Sequence, residues 1–203
     1  VLVTLHCALT MAFDSMMPTL ATMVGGADRV YGATIVGLGL GAVIGTIGLS
    51  MLGNTPVKGA ALALAGVISG LGMVVMGVAT SPAIVVAGAI LAGGSQSAFV
   101  VLSTTFIQQV TPDEFRGRVL SIYTMLSVGH MAFLNFGFGW VADGVGVRVL
   151  LIAPGVLWVA LFAAAVVAMT ELRHVLRRGD FRSPAVGLGA LREGEFAVPT
   201  EGD

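Results

Sequence analysis

The strongest constraint on this chain is the spacing of its charged side chains. Five stretches contain at most one Asp, Glu, Lys or Arg: 1–27, 30–57, 59–112, 119–142 and 149–170. Only 10% of the 203 residues are charged and 56% are hydrophobic, whereas a soluble domain carries about 25% charge. Such a chain cannot surround a core with polar surface, which argues against a soluble globule, a disordered chain and a nucleic-acid-binding protein. The predicted solvent is lipid.

The lengths of these stretches predict the number of membrane spans. A helix needs about 20 apolar residues to cross the hydrocarbon core. The stretch 59–112 is too long for one crossing, and Pro82 suits the start of a second helix within it. Barrel strands are excluded because they alternate apolar with polar residues. The sequence therefore predicts an all-α membrane protein whose six transmembrane helices cover residues 1–23, 31–52, 59–79, 82–109, 119–142 and 147–170.

The Lys and Arg residues predict the orientation. With six crossings, both termini and the loops near 53–58 and 110–118 lie on one side, and only Arg29 and Arg148 lie on the other. The remaining eight of the ten basic residues are on the first side, and such an excess marks the cytoplasmic face. Both termini are therefore predicted to be cytoplasmic. The tail, residues 173–203, is rich in Gly and Pro and is predicted to be disordered.

Glycines recur at regular intervals inside the spans. Gly37, Gly41 and Gly45 are four residues apart, and Gly66 and Gly70 repeat this spacing in the third span. A stripe of small residues lets a neighbouring helix approach closely in lipid. It also fits helices that slide or bend during a conformational cycle, and the sequence alone does not separate the two interpretations.

Asp14 is the one acid inside a predicted span. A carboxylate at this depth costs about 2.5–3.5 kcal/mol on insertion scales, so it is expected to face a cavity or a partner. His6, Thr10 and Asp14 are spaced four residues apart and share one face of a continuous helix. Pro18 removes the helical hydrogen bond to the Asp14 carbonyl and so marks a flexible point. Asp14 is either a proton or substrate site, or a solvated acid near the interface.

Other polar side chains lie in the fourth and fifth spans. Tyr123, Ser127 and His130 share one helix face, whereas Asn135 points elsewhere and can bond a neighbouring helix. His130 is either a proton relay or a hydrogen-bonding residue between helices. Gln96 in the fourth span has the same two interpretations.

Motifs of enzymes and metal sites are missing from the sequence. There is no nucleophile elbow, no zinc-protease motif and no phosphate-binding loop, so an enzyme is not expected. Ser95 and His130 could form the nucleophile and base of an intramembrane hydrolase, but no glycine frame surrounds Ser95. The single cysteine, Cys7, excludes a disulfide framework and a cysteine-based metal site. No metal or cofactor is predicted.

The segment 108–121, QQVTPDEFRGRVLS, carries a family resemblance. It resembles the cytoplasmic loop between the tenth and eleventh helices of major facilitator superfamily transporters. It is most similar to the bacterial branch that includes siderophore (enterobactin-type) exporters and macrolide efflux pumps. The similarity extends to Tyr31-Gly32 and to Gly129, Gly139 and Gly146, and it covers residues 1–172 as a C-terminal six-helix half.

The resemblance implies an architecture and a set of site residues. The half should contain two inverted three-helix repeats, spans one to three and four to six. The first, second, fourth and fifth spans should line the central cavity. The implied substrate or proton pathway comprises Asp14, Gln96, His130 and Asn135. The implied cytoplasmic gate loop, whose ion pairs break when that face opens, comprises Asp113, Glu114, Arg116 and Arg118.

The function implied by the resemblance is secondary active transport in the inner membrane of a bacterium. The expected activity is proton-coupled export, by antiport and alternating access, of small amphipathic molecules of the drug or siderophore type. A second six-helix unit is expected as a partner, either a missing N-terminal half or a second copy of the chain. The alternatives are a six-helix membrane scaffold or binding protein, and an intramembrane enzyme.

Overall fold

The computed structural model describes residues 2–52 and 57–178, and all regular structure within these ranges is helical. The α-helices are α1 (Leu2–Met11), α2 (Met17–Met23), α3 (Ala27–Ser50), α4 (Val57–Val78), α5 (Pro82–Val110), α6 (Asp113–Val145), α7 (Val147–Ala168) and α8 (Thr170–Arg178). The predicted all-α membrane fold is confirmed at this level. Residues 53–56 and 179–203, which include most of the predicted tail, lie outside the described residues.

Five helices in the described part of the chain, α3 to α7, are long and apolar enough to cross a bilayer. The first predicted span, residues 1–23, is different because it is not one continuous helix. Helix α1 ends at Met11, a 3₁₀ turn occupies Asp14–Met16, and α2 resumes at Met17. A crossing at this place would therefore consist of two short helices joined at Asp14.

The interruption of the first helix follows from Pro18. Proline has no N–H to donate to the carbonyl four residues earlier, and its ring collides with that carbonyl in a continuous helix. The affected carbonyl belongs to Asp14, which instead accepts a hydrogen bond from the N–H of Met17. Phe13 leaves the helical region, with φ −126° and ψ 0°. The prediction of a single helical face for His6, Thr10 and Asp14 was therefore wrong.

The long helices pack around α5 and α4. Helix α5 packs most extensively against α3 and α4, α4 also packs against α7, and α1 packs against α6. One core cluster joins Met16, Leu20 and Leu151, and a second joins Phe99, Trp158 and Phe162. Helix α6 contributes little to either cluster: Ser127 is its one buried residue. Its aromatic residues Phe133, Phe136 and Trp140 are largely exposed.

The glycine stripe of α3 lies directly against α5. A Cβ added to Gly41 would lie 2.9 Å from the backbone N of Gly94 and even closer to the carbonyl of Ile90. A Cβ on Gly45 would lie 2.9 Å from the carbonyl carbon of Gly94. Real Cβ atoms do not come so close to backbone, so these two glycines are required by the packing. The close-packing interpretation of the stripe holds in this structure.

Helix α8 is set apart from α7 by Met169, whose backbone is extended at φ −99° and ψ 105°. The Val175 side chain is buried in the same cluster as Leu62 and Phe162. Gly59, near the start of α4, lies against the carbonyls of Val175 and Leu176. Residues 173–178, which begin the predicted tail, are therefore helical and packed on the bundle.

Candidate functional site

An open cleft containing Asp14 lies between α3, α5, α6 and the break after α1. Its volume is about 480 Å³, and we call it the acidic chamber. Asp14, Gln96 and Ser97 supply its polar lining, and Leu38 and Met131 are among its apolar residues. Two of the predicted pathway residues, Asp14 and Gln96, therefore line the same cleft, although 82 positions separate them in the sequence.

A second open cleft, the neutral chamber, lies between α1, α5 and α6. Its volume is about 470 Å³, and its polar lining consists of Cys7, Thr104, Tyr123, Thr124 and Ser127. The two chambers are adjacent because they share three lining residues: Met11, Val100 and Met131. Sequence reasoning placed Tyr123 and Ser127 on one face but missed this chamber, because its other wall comes from α1 and α5.

Gln96 connects α5 to the helix that precedes the break. Its side chain is buried, and its Nε2 donates a hydrogen bond of 2.5 Å to the carbonyl of Thr10. Thr10 in turn donates from Oγ1 to the carbonyl of His6, at 2.9 Å. Gln96 thereby holds the last turn of α1 beside the acidic chamber.

Asn135 holds the residue that follows Asp14. The backbone N–H of Ser15 donates to Asn135 Oδ1 at 3.0 Å, and Ser15 Oγ donates to the Asn135 carbonyl at 3.0 Å. Gly139, one turn further along α6, also faces Ser15. These two bonds fix the 3₁₀ turn to α6, so Asn135 acts on Asp14 through the backbone.

Replacing Asn135 with alanine is expected to loosen this attachment. The variant keeps the bond to the Asn135 carbonyl but loses the bond to Oδ1. Hydrogen bonds between membrane helices contribute about 0.6 kcal/mol on average and at most about 1.7 kcal/mol. The free energy of unfolding in detergent, measured by titration with a denaturing surfactant, should decrease by an amount within that range. Ser121→Ala, an exposed position on α6, is the control, and equal losses in the two variants would contradict the role of Asn135.

His130 is not part of either chamber. It lines a separate cleft of about 250 Å³ with Thr4, Leu5, Ala8 and Leu126. Its Nδ1 lies 2.6 Å from the carbonyl of Leu126 and, because a carbonyl can only accept, Nδ1 must carry the proton. The structure therefore does not bring His130 together with Asp14 and Gln96.

His6 is a buried polar residue whose surroundings could not be predicted from the sequence. Its ring lies between Phe99 and Trp158, with centroid distances of 4.1 and 4.8 Å. Its Nε2 lies 3.0 Å from Ser69 Oγ, which donates its own proton to the Gly66 carbonyl at 2.8 Å. Nε2 is therefore the protonated nitrogen. His6 joins α1 to α4 and α7 and does not line either chamber.

The predicted gate loop is mostly helix. Helix α5 ends at Val110 and α6 begins at Asp113, so the acidic and basic residues predicted for the loop lie in the first turns of α6. Acidic residues favour the positive end of a helix, which explains why α6 begins at Asp113-Glu114. Arg116 Nη2 pairs with Asp113 Oδ1 at 2.5 Å on the same helix. Glu114 and Arg118 are exposed.

Within the described residues, an all-helical bundle with five membrane-length apolar helices and a cleft that contains Asp14 is the architecture of a multi-pass integral membrane protein. Residues 2–188 match the family model described as transmembrane secretion effector, within the major facilitator superfamily. The chain therefore belongs to this family of transmembrane transporters, and the expected role in transport and efflux is confirmed at that level. Neither a curated protein nor a solved structure matches the sequence.

Proposed function

We propose that the chain is one six-helix half of a proton-coupled secondary transporter that exports small amphipathic molecules by alternating access. The observation that carries the proposal is the position of Asp14. It lies at a break between two short helices, in a cleft lined by residues from α3, α5 and α6. Interrupted helices with a polar residue at the break are a recurring feature of transporter binding sites.

The sixth crossing in this proposal consists of α1, the 3₁₀ turn and α2 together. Both termini are then on one side, and the excess of Lys and Arg on that side supports a cytoplasmic location for them. The inner membrane of a bacterium is part of the proposal through the family resemblance alone. The helix pairing supports two inverted repeats in which α1, α3 and α4 correspond to α5, α6 and α7. Under this correspondence, the pair α3–α5 is equivalent to the pair α6–α1. The pair α4–α5 is likewise equivalent to α7–α1. All four pairs of helices are in contact.

A second six-helix unit completes the transporter in this proposal. The two chambers are open clefts, and they would expose Asp14 and Tyr123 to lipid if nothing covered them. A partner half, either an N-terminal half or a second copy, covers them and rocks against this one. At the cytoplasmic end, exposed Glu114 and Arg118 can pair with that unit, and the Asp113–Arg116 pair can exchange partners as the face opens.

Two alternative functions are less consistent with the geometry. An intramembrane hydrolase would need Ser95 and His130 to interact. Ser95 Oγ donates to the Leu91 carbonyl at 2.6 Å, and His130 Nδ1 to the Leu126 carbonyl, so each polar group bonds its own helix. A static scaffold or binding protein would have the same cleft, but the exposure of that cleft to water would stay constant. A transporter would change this exposure during its cycle.

Alternating access predicts that the neutral chamber changes its exposure to water during the cycle. Cys7→Ser removes the single cysteine, and Thr124→Cys then introduces a thiol in the chamber. In oriented membrane vesicles, a membrane-impermeant thiol reagent should label Thr124→Cys faster than Met125→Cys, a neighbour that is 67% exposed but outside the chamber. An imposed proton gradient should change only the rate at Thr124→Cys. A labelling rate that ignores the gradient would favour the scaffold.

A further inference from the structure

A further cleft lies between α1, α5, α7 and α8, and we call it the α8 cleft. We propose that it binds an acidic phospholipid, with one acyl chain in the cleft and the headgroup on the arginines of α8. The α8 cleft shares no lining residue with the acidic chamber or the neutral chamber. The inference therefore concerns a lipid bound at the end of the bundle and not a transported molecule.

The lining of the α8 cleft suits a hydrocarbon chain. Ten of its eleven lining residues are hydrophobic, and Ser103 is the exception. Phe99 and Phe162 line the cleft and are buried, whereas Val110 and Met169 line it and are 40% and 53% exposed. The cleft therefore runs from the core to the surface. Its volume is about 240 Å³, and an apolar cavity of about 150 Å³ already holds benzene, so part of one acyl chain fits.

Basic side chains of α8 lie at the exposed end of this cleft. Leu172 is a lining residue, and the next residue, Arg173, is exposed, as is Arg177 one turn further along. Val175, in contrast, is buried in the core cluster that contains Phe162. Helix α8 therefore has an apolar side on the bundle and a basic side away from it. A helix of this kind is attracted to anionic lipid headgroups.

The two exposed arginines have no acidic partner among the side chains that the structure describes. Arg173 Nη2 donates one hydrogen bond of 3.4 Å to Thr170 Oγ1, which leaves most of its five N–H donors for a ligand. In the sequence of α8, three arginines outnumber one acidic residue, Glu171. A guanidinium group binds a phosphate through two parallel hydrogen bonds. The site therefore favours a lipid with a net negative charge over a zwitterionic lipid.

A phospholipid uses both parts of the site at once. Its phosphate is attached next to its acyl chains, and in the protein Arg173 directly follows Leu172, which lines the cleft. A free phosphate would contact only the arginines, and an uncharged hydrocarbon would occupy only the cleft. The combination of an apolar cleft and adjacent arginines therefore points to one molecule that contains both groups.

The test compares two lipids with the same acyl chains, phosphatidylglycerol and phosphatidylcholine. The full chain is released from nanodiscs that contain equal amounts of both, and native mass spectrometry measures which lipid stays bound. Phosphatidylglycerol should be retained about tenfold or more over phosphatidylcholine, because each arginine near a membrane surface contributes roughly fivefold. The double variant Arg173→Gln/Arg177→Gln should bring this ratio close to one. Arg29→Gln/Arg118→Gln, which removes two exposed charges outside the cleft, should keep the preference.

A second pair of variants locates the acyl chain. Ile107→Trp fills the α8 cleft and should lower the retention of phosphatidylglycerol, whereas Gln109→Trp, at an exposed position outside the lining, should not. An excess of glycerophosphoglycerol, the same headgroup without acyl chains, should not displace the lipid.

Three results would overturn the inference: equal retention of the two lipids, an unchanged ratio in the arginine variant, or displacement by the free headgroup. A dimer of the chain in place of the lipid complex, lost in Ile107→Trp, would assign the cleft to a second copy and would also overturn it.

Discussion

Asp14→Asn is expected to abolish substrate-driven proton movement. In liposomes reconstituted with the chain and loaded with a pH-sensitive dye, addition of a transported amphipathic molecule should move protons across the membrane. The variant should reduce this signal to the level of protein-free liposomes. An amide has almost the size of the carboxylic acid and keeps its hydrogen-bonding capacity, but it cannot bind and release a proton. The effect therefore reports on proton exchange rather than on the shape of the cleft.

The expected loss is large because Asp14 has no substitute nearby. Gln96 and Ser97 are the other polar residues of the acidic chamber, and neither titrates. His130 lines a different cleft. Asp28→Asn is the matched control, because it removes one carboxylate at the exposed start of α3 without touching either chamber. Undiminished flux in Asp14→Asn would refute the proposed proton site.

Gly41→Ala is expected to destabilise the bundle by about 1–3 kcal/mol, the usual cost of overpacking. The added Cβ meets the carbonyl of Ile90 and the backbone N of Gly94. Backbone atoms cannot rotate away as a side chain can, so α3 and α5 must separate along their whole contact. Their contact is the most extensive in the bundle, which makes this position more sensitive than the exposed glycines of α3.

The measurement for this variant is the free energy of unfolding in mixed micelles, obtained by titration with a denaturing surfactant. Gly48→Ala is the control, since it lies on the same helix and its Cβ would have no atom within 4 Å. Because alanine is the better helix former, the control should be as stable as the native chain or slightly more stable. Similar losses in Gly41→Ala and Gly48→Ala would show that the contact between α3 and α5 does not require glycine.

The long helices could be predicted from the sequence because the bilayer imposes one simple condition. Each of α3 to α7 corresponds to a stretch almost free of charge and about 20 residues or more in length. Helix α5 begins at Pro82, a residue that is tolerated in the first turn. The helix that packs against the glycine stripe of α3 could not be predicted. Gly93 and Gly94 are small residues, but the sequence does not indicate which helix they contact.

The first predicted span shows the limit of predicting a helix from local sequence alone. Pro18 indicated a weak point at the Asp14 carbonyl, but a helix can kink, bulge or stop at such a point. The structure stops the helix at Met11 and inserts a 3₁₀ turn. His6 and Thr10 then lie in the interior while Asp14 lines a cleft. A periodicity argument that continues through the break assigns all three residues to the same environment.

The gate residues show a similar limit at a helix end. A segment with a proline, two acidic residues and two arginines is typical of a loop, yet the helix begins directly after Pro112. Two acidic residues in the first turn and an ion pair three residues apart stabilise that start. The sequence contained these signals, but the length of a charge-free stretch measures only the part of a helix that lies in lipid.

By itself, the sequence determined the solvent of this protein, its helical character and the residues that have to avoid lipid. These properties follow from the transfer free energies of single residues and short segments, which do not depend on the rest of the fold. Only the tertiary structure decided which polar residues meet. Asp14 and Gln96 share a chamber, Asn135 holds the turn beside them, and His130 lies elsewhere, because the crossing of helices sets distances between residues that are far apart in the chain.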